Sequence, residues 1–131
     1  MTQAITMIDD NPLDHLIVER LCQRDCADAE LYFCSDAALI LSNLRCGEKR
    51  FPRYPDIILL DLNMPGTSGW EFLKELKGFY SELAKPVDVY VMSSSIDPAD
   101  REYAMAYPFV KDYFIKPMTS SVLKKMQRHY S

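Results

Sequence analysis

The stretch Ile57-Ile-Leu-Leu-Asp61 is a run of four aliphatic residues that ends directly in a carboxylate. An apolar side chain at every position gives a strand two apolar faces, so both faces of its sheet must be covered. Runs of this kind are typical of a parallel strand inside an α/β sheet. We therefore predict a buried central strand that delivers a charged group at its carboxyl end.

Strand-like and helix-like segments alternate along the rest of the chain. Short apolar runs predict further strands at Ala4 to Ile8, Leu31 to Cys34, Val87 to Met92 and Asp112 to Ile115. Helical spacing and capping residues predict helices at Pro12 to about Arg24, Ser35 (as the cap) through Leu44, Trp70 to Leu76, Ala99 to Tyr107, and Ser120 or Ser121 to about His129. The alternation predicts one parallel, doubly wound five-stranded sheet with helices on both faces. The polar stretch 45–55, with one glycine and two prolines, is predicted to be a solvated surface connection.

Length and composition narrow the class of protein. The 131 residues suit a single domain over 1–131, and we expect no output domain beside it. The formal net charge of -4 argues against broad binding to nucleic acid. We expect no membrane span and no secretion signal, because no apolar run is long enough and the N-terminus lacks a charged segment. These features predict a cytoplasmic protein in which the four cysteines stay reduced.

Polar side chains stand where the predicted strands end. Asp9 and Asp10 follow the first strand, and Asp61 ends the third. Ser93 follows the fourth strand and Lys116 the fifth. The carboxyl ends of parallel strands share one edge of the sheet, and ligands of such sheets bind beyond that edge. We predict that these side chains converge on one site.

The predicted site gathers carboxylates that repel one another. At about 5 Å and an effective dielectric constant near 20, each pair costs about 3 kcal/mol. Lys116 offsets part of this charge, and a small hard cation held by oxygens offsets more. Few carboxylates, with room for water and a phosphate, favour Mg²⁺ over Ca²⁺. Asp61 is the best candidate nucleophile toward phosphorus, because Asp9 and Asp10 are paired as metal holders.

Four motifs follow one another along nearly the whole chain, from about residue 4 to 130. They are Asp9-Asp10, Asp61-Leu-Asn-Met-Pro65 with Gly69, Ser93 after an aliphatic strand, and Lys116-Pro117. In this order and spacing they resemble the receiver domain of two-component response regulators, of the single-domain, chemotaxis-regulator-like kind. The resemblance implies a flavodoxin-like fold with strand order 2-1-3-4-5.

The resemblance also implies roles for the acidic residues. Asp61 would accept a phosphoryl group from a phosphohistidine on a sensor histidine kinase or a phosphotransfer protein. Asp10, Asp61 and the backbone carbonyl of Asn63 would ligate Mg²⁺, and Asp9 would act mainly through a water molecule that the metal holds. The protein would not be an enzyme in the ordinary sense, since only Mg²⁺-dependent self-phosphorylation and self-dephosphorylation are expected.

A second set of residues would respond to the phosphoryl group. Lys116 would pair with it, Ser93 and Ser94 would bind it, and Tyr113 would move in step. Family members more often carry Thr at the position of Ser93, so the missing methyl group would loosen the switch. The peptide bond between Lys116 and Pro117 would be cis, which is costly enough to serve a purpose.

Signalling would then pass through contact with another protein. The resemblance implies a downstream target that binds the face formed by the Ala99–Tyr107 helix and Tyr113. No direct contact with nucleic acid or a membrane is expected. His15 is expected to face solvent, and it lacks the companions of a phosphotransfer histidine.

Two alternatives from other classes stay open at this point. One is a receiver-like interaction module that is never phosphorylated, although the intact Asp10, Asp61 and Lys116 argue against it. The other is a small haloacid-dehalogenase-type phosphatase, which also uses an Asp nucleophile after a strand. That family needs a second Asp two residues beyond the nucleophile, where this chain has Asn63.

Overall fold

The strands were located in a computed structural model that describes residues 3–25, 29–47, 50, 51, 53–62 and 68–130, with side chains to residue 126. The described residues form five parallel strands: β1 (Ala4–Ile8), β2 (Glu30–Cys34), β3 (Ile57–Asp61), β4 (Asp88–Ser93) and β5 (Val110–Ile115). They lie side by side in the order β2-β1-β3-β4-β5. This arrangement confirms the predicted doubly wound sheet and its strand order.

Helices connect the strands and cover both faces of the sheet. They are α1 (Pro12–Asp25), α2 (Ala37–Cys46), α3 (Gly69–Phe79), α4 (Pro98–Met105) and α5 (Ser120–Tyr130). A short 3-10 helix, Tyr80–Glu82, extends the end of α3. Within the described ranges, no helix combines the length and the apolarity that crossing a membrane requires.

The side chains of β3 alternate between two separate hydrophobic cores. Ile58 and Leu60 belong to the core that contains residues of α2, α3 and α4. Ile57 and Leu59 belong to the opposite core, which contains residues of α1 and α5. All four side chains are buried, and each contributes about 1.5 to 3 kcal/mol relative to exposure. Burial on both faces explains why this strand has no polar position before Asp61.

The start of α2 differs from the prediction. We predicted Ser35 as the N-terminal cap, but the cap is Asp36, whose side chain accepts a hydrogen bond from the Leu39 N–H at 3.2 Å. A capping side chain stands two or three residues before the N–H that it accepts from, in extended backbone. Asp36 meets both conditions, with φ -122° and ψ 98°. Two adjacent cap-forming residues made this boundary ambiguous in the sequence.

The stretch 45–55 is more than the solvated connection that we predicted. Tyr54 is buried in the core beneath α2 and α3, and Phe51 packs against it edge to face, with ring centroids 5.4 Å apart. The side chain of Lys85 lies over the Tyr54 ring. These two aromatic residues anchor a polar loop to the core, so the prediction is wrong for the second half of the stretch.

The last strand also begins earlier than predicted. We placed its start at Asp112, but β5 begins at Val110, which pairs with Val89 of β4. A register shift between Val89 and Tyr90 interrupts the pairing, and Lys111 is exposed between two buried residues. The polar pair Lys111-Asp112 therefore interrupts the apolar pattern just after Val110.

Gly69, the first residue of α3, allows the backbone to pass close to the end of β3. A Cβ atom at this position would lie 2.5 Å from the carbonyl oxygen of Asp61 and 2.5 Å from the Cα of Leu62. Both are backbone atoms, so a rotamer change cannot relieve the clash. The Gly69 N–H donates to the carbonyl of Leu62 at 3.2 Å, and Ser68 caps the helix. The absence of a side chain at residue 69 therefore helps to place Asp61.

We expect Gly69→Ala to lower the free energy of unfolding by about 1 to 3 kcal/mol, because the added methyl group overpacks a backbone contact. Gly78→Ala is the matched control in the same helix, since its Cβ would meet nothing within 4 Å. The control should raise stability by about 0.5 to 1 kcal/mol through helix propensity. Urea unfolding of both variants measures the difference, and equal effects would contradict the proposed close approach.

Candidate functional site

The pairing of the strands brings polar residues to one edge of the sheet. Ile8 pairs with Leu60, so Asp9 stands beside Asp61 at the ends of β1 and β3. Ser93, the last residue of β4, pairs with Ile115. The Lys116 N–H then donates to the Ser93 carbonyl at 2.9 Å.

The ammonium of Lys116 contacts two of the predicted carboxylates. Its Nζ lies 3.1 Å from Asp9 Oδ2 and 3.2 Å from Asp61 Oδ2. Asp9 and Asp61 are both buried, so these ion pairs are sheltered from solvent and gain more than pairs in bulk water. The structure thus brings together the three side chains on which the predicted site depends.

An acidic cluster surrounds this contact. Asp9, Asp10 and Asp61 each offer one carboxylate oxygen, and these oxygens lie within 4.8 Å of one another. Asp10 is exposed while the other two are buried, so the cluster opens to solvent on one side. Three carboxylates beside one ammonium leave a net negative charge, and hard oxygen donors in this number suit a cation such as Mg²⁺.

Burial raises the pKa of Asp9 from 3.8 to about 6. The hydrogen bond from the Asn11 N–H opposes this rise, whereas the charge of Asp61 adds to it. The contact with Lys116 again lowers the pKa but does not cancel the effect of burial. Burial therefore disfavours the ionised form of Asp9, and a cation beside the carboxylate would offset this cost.

The pKa of Lys116 is raised above its ordinary value. Burial alone would lower it, but hydrogen bonds to Asp14 and Asp9 and the charges of Asp61 and Asp9 outweigh burial. Lys116 is therefore a fixed positive charge at neutral pH.

Asp14 is a site residue that the sequence reasoning missed. Its Oδ2 lies 2.6 Å from Lys116 Nζ, closer than either Asp9 or Asp61. Asp14 is the third residue of α1, which begins at Pro12. Side chains in a first helical turn point back toward the helix start, here toward the end of β1. An acidic residue in the turn after Asp9-Asp10 was the signal that could have found it.

His15 also lies at the site rather than in solvent. Its ring stacks on Phe33 with centroids 4.5 Å apart, and its Nε2 contacts the backbone carbonyl of Asp9. The expectation that this residue faces solvent is therefore wrong. The contact packs α1 against the ends of β1 and β2.

Ser93 and Tyr113 are both connected to Ser95. The buried Ser93 accepts a hydrogen bond on Oγ from the Ser95 N–H at 3.0 Å. The Tyr113 hydroxyl donates to the Ser95 carbonyl at 3.0 Å, with its ring buried. The Ser95 hydroxyl donates to Asp100 Oδ2 at 2.6 Å, in the first turn of α4. Ser95 thus links the end of β4 to α4 and β5, whereas Ser94 is exposed.

Two further expectations concern the loops around the site. The peptide bond between Lys116 and Pro117 is cis, as we expected from the resemblance. The predicted metal ligand Asn63 lies outside the residues that the structure describes, which resume at Ser68.

Comparisons with known proteins agree with the motifs. A family model for the response regulator receiver domain matches residues 5–128. The probable methanogenesis regulatory protein FilR2 of Methanothrix harundinacea is 30% identical over 121 residues, which are 92% of this chain and 76% of that protein. The response regulator Rcp1 of Synechocystis is 29% identical, over 95% of this chain and 83% of its own length. The chain spans only 53% of a similar rice protein, the two-component response regulator ORR1.

Solved structures of response regulators are also similar to this chain. A two-component response regulator from Cytophaga hutchinsonii superposes with a TM-score of 0.85 at 25% identity, covering 98% of this chain and 96% of that one. The phosphorylated cyanobacterial phytochrome response regulator RcpA has a TM-score of 0.76 at 28% identity, covering 98% and 91%. These matches support the receiver interpretation over the phosphatase alternative. Motifs, sheet order and similarity extend over the same residues, and the chain belongs to the response regulator receiver domain family.

Proposed function

We propose that Asp61 accepts a phosphoryl group from a phosphohistidine on a sensor histidine kinase or a phosphotransfer protein. The observation that carries this proposal is the contact of Lys116 Nζ with the buried Asp61 carboxylate, 3.2 Å away, beside the acidic cluster. A fixed ammonium next to a carboxylate nucleophile stabilises the charge on a phosphoryl group during its transfer.

In this transfer one carboxylate oxygen of Asp61 forms a bond to phosphorus. The phosphorus–nitrogen bond of the phosphohistidine breaks, and its electron pair stays on the imidazole nitrogen. Lys116 donates a hydrogen bond to an oxygen of the incoming group. Small phosphodonors such as acetyl phosphate would serve in place of the histidine, with acetate as the leaving group, and water would later hydrolyse the acyl phosphate.

The acidic cluster would hold Mg²⁺ for this reaction. Asp10 and Asp61 would be direct ligands together with the backbone carbonyl of Asn63, while Asp9 would act through a bound water molecule. When present, the cation supplies positive charge to the phosphoryl oxygens. The raised pKa of Asp9 and the excess of carboxylates over ammonium groups support this assignment.

The response of the protein would begin at Ser93. Its hydroxyl would donate to a phosphoryl oxygen, with Ser94 as a further contact, and this movement would alter the hydrogen bond between Ser93 and Ser95. Because Ser95 also holds Tyr113 and Asp100, the change would reach β5 and α4.

A downstream protein would recognise the face of α4 and Tyr113. Ile96 there is 83% exposed, and Ile115 and Tyr103 are also exposed. Exposed apolar side chains next to a responsive hydrogen-bond network suit a protein–protein contact.

A histidine kinase partner uses ATP as its phosphate source, so we place this signalling in the cytoplasm.

We expect wild-type protein incubated with acetyl phosphate and Mg²⁺ to gain the mass of one phosphoryl group. Asp61→Asn should not gain it, because an amide is not a nucleophile toward phosphorus. Asp88→Asn, at the opposite end of the sheet, is the control and should behave like the wild type. Intact-protein mass spectrometry measures the gain. An unchanged wild-type mass, or a gain that survives in Asp61→Asn, would contradict the proposal.

Asp9→Asn should stabilise the metal-free protein at pH 7.5. The pKa of Asp9 is raised from 3.8 to about 6, so its contribution to stability is present below pH 3.8 and is lost as the pH rises through about 6. We expect a gain of about 1 to 3 kcal/mol at pH 7.5 that disappears near pH 4. Urea unfolding with a chelator at the two pH values measures it.

The matched control for this experiment is Asp10→Asn. Its exposed carboxylate is screened by water, so the change in stability should stay within about 0.5 kcal/mol. Mg²⁺ should stabilise the wild type more than Asp9→Asn. A variant Asp9→Asn that is less stable than the wild type at pH 7.5 would refute the electrostatic account.

Ser93→Ala should uncouple phosphorylation from the response. With beryllofluoride and Mg²⁺ as a phosphoryl mimic, amide NMR signals of α4 should shift in the wild type and stay near their free positions in Ser93→Ala. Ser93→Thr keeps the hydroxyl, so its α4 amide signals should shift as far as those of the wild type. Equal chemical-shift changes in Ser93→Ala and Ser93→Thr would contradict a role for the Ser93 hydroxyl in the response of α4.

A further inference from the structure

We propose that Asp14 is a positioning residue that restrains Lys116 in the unphosphorylated protein and so opposes phosphorylation of Asp61. The inference rests on the proposed function, because the restraint matters only if Lys116 must bind a phosphoryl group. Asp14 acts through the lysine rather than on the reacting atoms.

The geometry makes Asp14 the strongest partner of Lys116. The distance from Nζ to Asp14 Oδ2 is 2.6 Å, against 3.1 Å to Asp9 and 3.2 Å to Asp61. The side chains of Lys116 and Asp14 are only 17% and 14% exposed. Short charge-assisted hydrogen bonds that are sheltered from water are worth more than exposed ion pairs.

Three carboxylates already surround the Lys116 ammonium, and two of them, Asp9 and Asp14, accept its hydrogen bonds. An ammonium carries three N–H donors, and three carboxylates lie within 3.2 Å of Nζ. A phosphoryl group on Asp61 would take over the ion pair that Asp61 now forms with Lys116. To close on further phosphoryl oxygens, the ammonium must weaken its contact with Asp14, which lies on another element, α1.

The negative charge of Asp14 also opposes phosphorylation of Asp61. Every phosphodonor is an anion, and it approaches an edge that already carries the acidic cluster. One more carboxylate beside the lysine reduces the positive potential that the donor meets. Removing that charge while keeping the shape of the side chain should therefore speed phosphorylation.

The first experiment tests the contact without phosphate or metal. Asp14→Asn, Lys116→Met and the double variant form a double-mutant cycle, measured by urea unfolding with a chelator. We expect the two substitutions to be coupled by about tenfold in the unfolding equilibrium constant. Glu19→Gln removes a charge from the exposed face of the same helix and should be uncoupled from Lys116→Met. Additive effects in the Asp14 cycle would overturn the proposal.

The second experiment measures the consequence for phosphorylation and needs only the mild variant Asp14→Asn. We expect it to take phosphate from acetyl phosphate several-fold faster than the wild type, with a lower half-saturating acetyl phosphate concentration. It should also bind beryllofluoride more tightly, while Glu19→Gln matches the wild type. A rate that is unchanged or slower in Asp14→Asn would overturn the proposal even if the unfolding cycle shows coupling.

The two experiments separate this inference from the function on which it rests. If the wild type takes no phosphate at all, the proposed function fails, and the unfolding cycle still measures the contact between Asp14 and Lys116. If the wild type is phosphorylated and Asp14→Asn behaves identically to it, only the restraint fails.

Discussion

The ammonium of Lys116 contacts three carboxylates, which come from the end of β1, from β3 and from α1. These contacts allow the acidic residues to lie close together at the carboxyl edge of the sheet. Without a cation, carboxylates about 5 Å apart repel by about 3 kcal/mol per pair at an effective dielectric constant near 20. A buried charge whose partner is removed costs several kcal/mol more than the intact pair. Lys116 therefore makes it possible for a folded chain to hold reactive acids together. The same charge attracts the anion that the site is proposed to receive.

Holding these groups together requires a fixed register, which the aliphatic run alone does not supply. Every position from Ile57 to Leu60 is apolar, so a slip of one residue would still present apolar side chains to both cores. Asp56 and Asp61, on either side of the apolar run, prevent such a slip. Asp56 Oδ2 accepts from the Ala4 N–H at 2.8 Å, and a slip toward the core would bury Asp61 without Lys116. The acidic residues on either side of the apolar run thus fix its position in the sheet.

The sequence was most informative where one physical rule decides the outcome. Apolar runs predict the strands, and the shared edge of parallel strands predicts that Asp9, Asp61 and Lys116 converge. Prediction failed where several contacts compete. The sequence predicts that Tyr54 belongs to a polar loop, because the burial of this side chain depends on packing between distant segments. Asp14 was missed because its role depends on the direction of one side chain in a helical turn, which residue type alone does not reveal.

Ser95 shows how a small event at this edge can reach a distant face. Its N–H donates to Ser93 and its carbonyl accepts from Tyr113, while its hydroxyl donates to Asp100 and accepts from the Asp97 N–H. Each such hydrogen bond contributes a net free energy of about 0.5 to 1.5 kcal/mol. Coupling between sites in proteins is of the same size, about 1 to 3 kcal/mol. Exchanging one or two of these bonds therefore supplies a free energy of the size that the proposed coupling between the Asp61 edge and α4 requires.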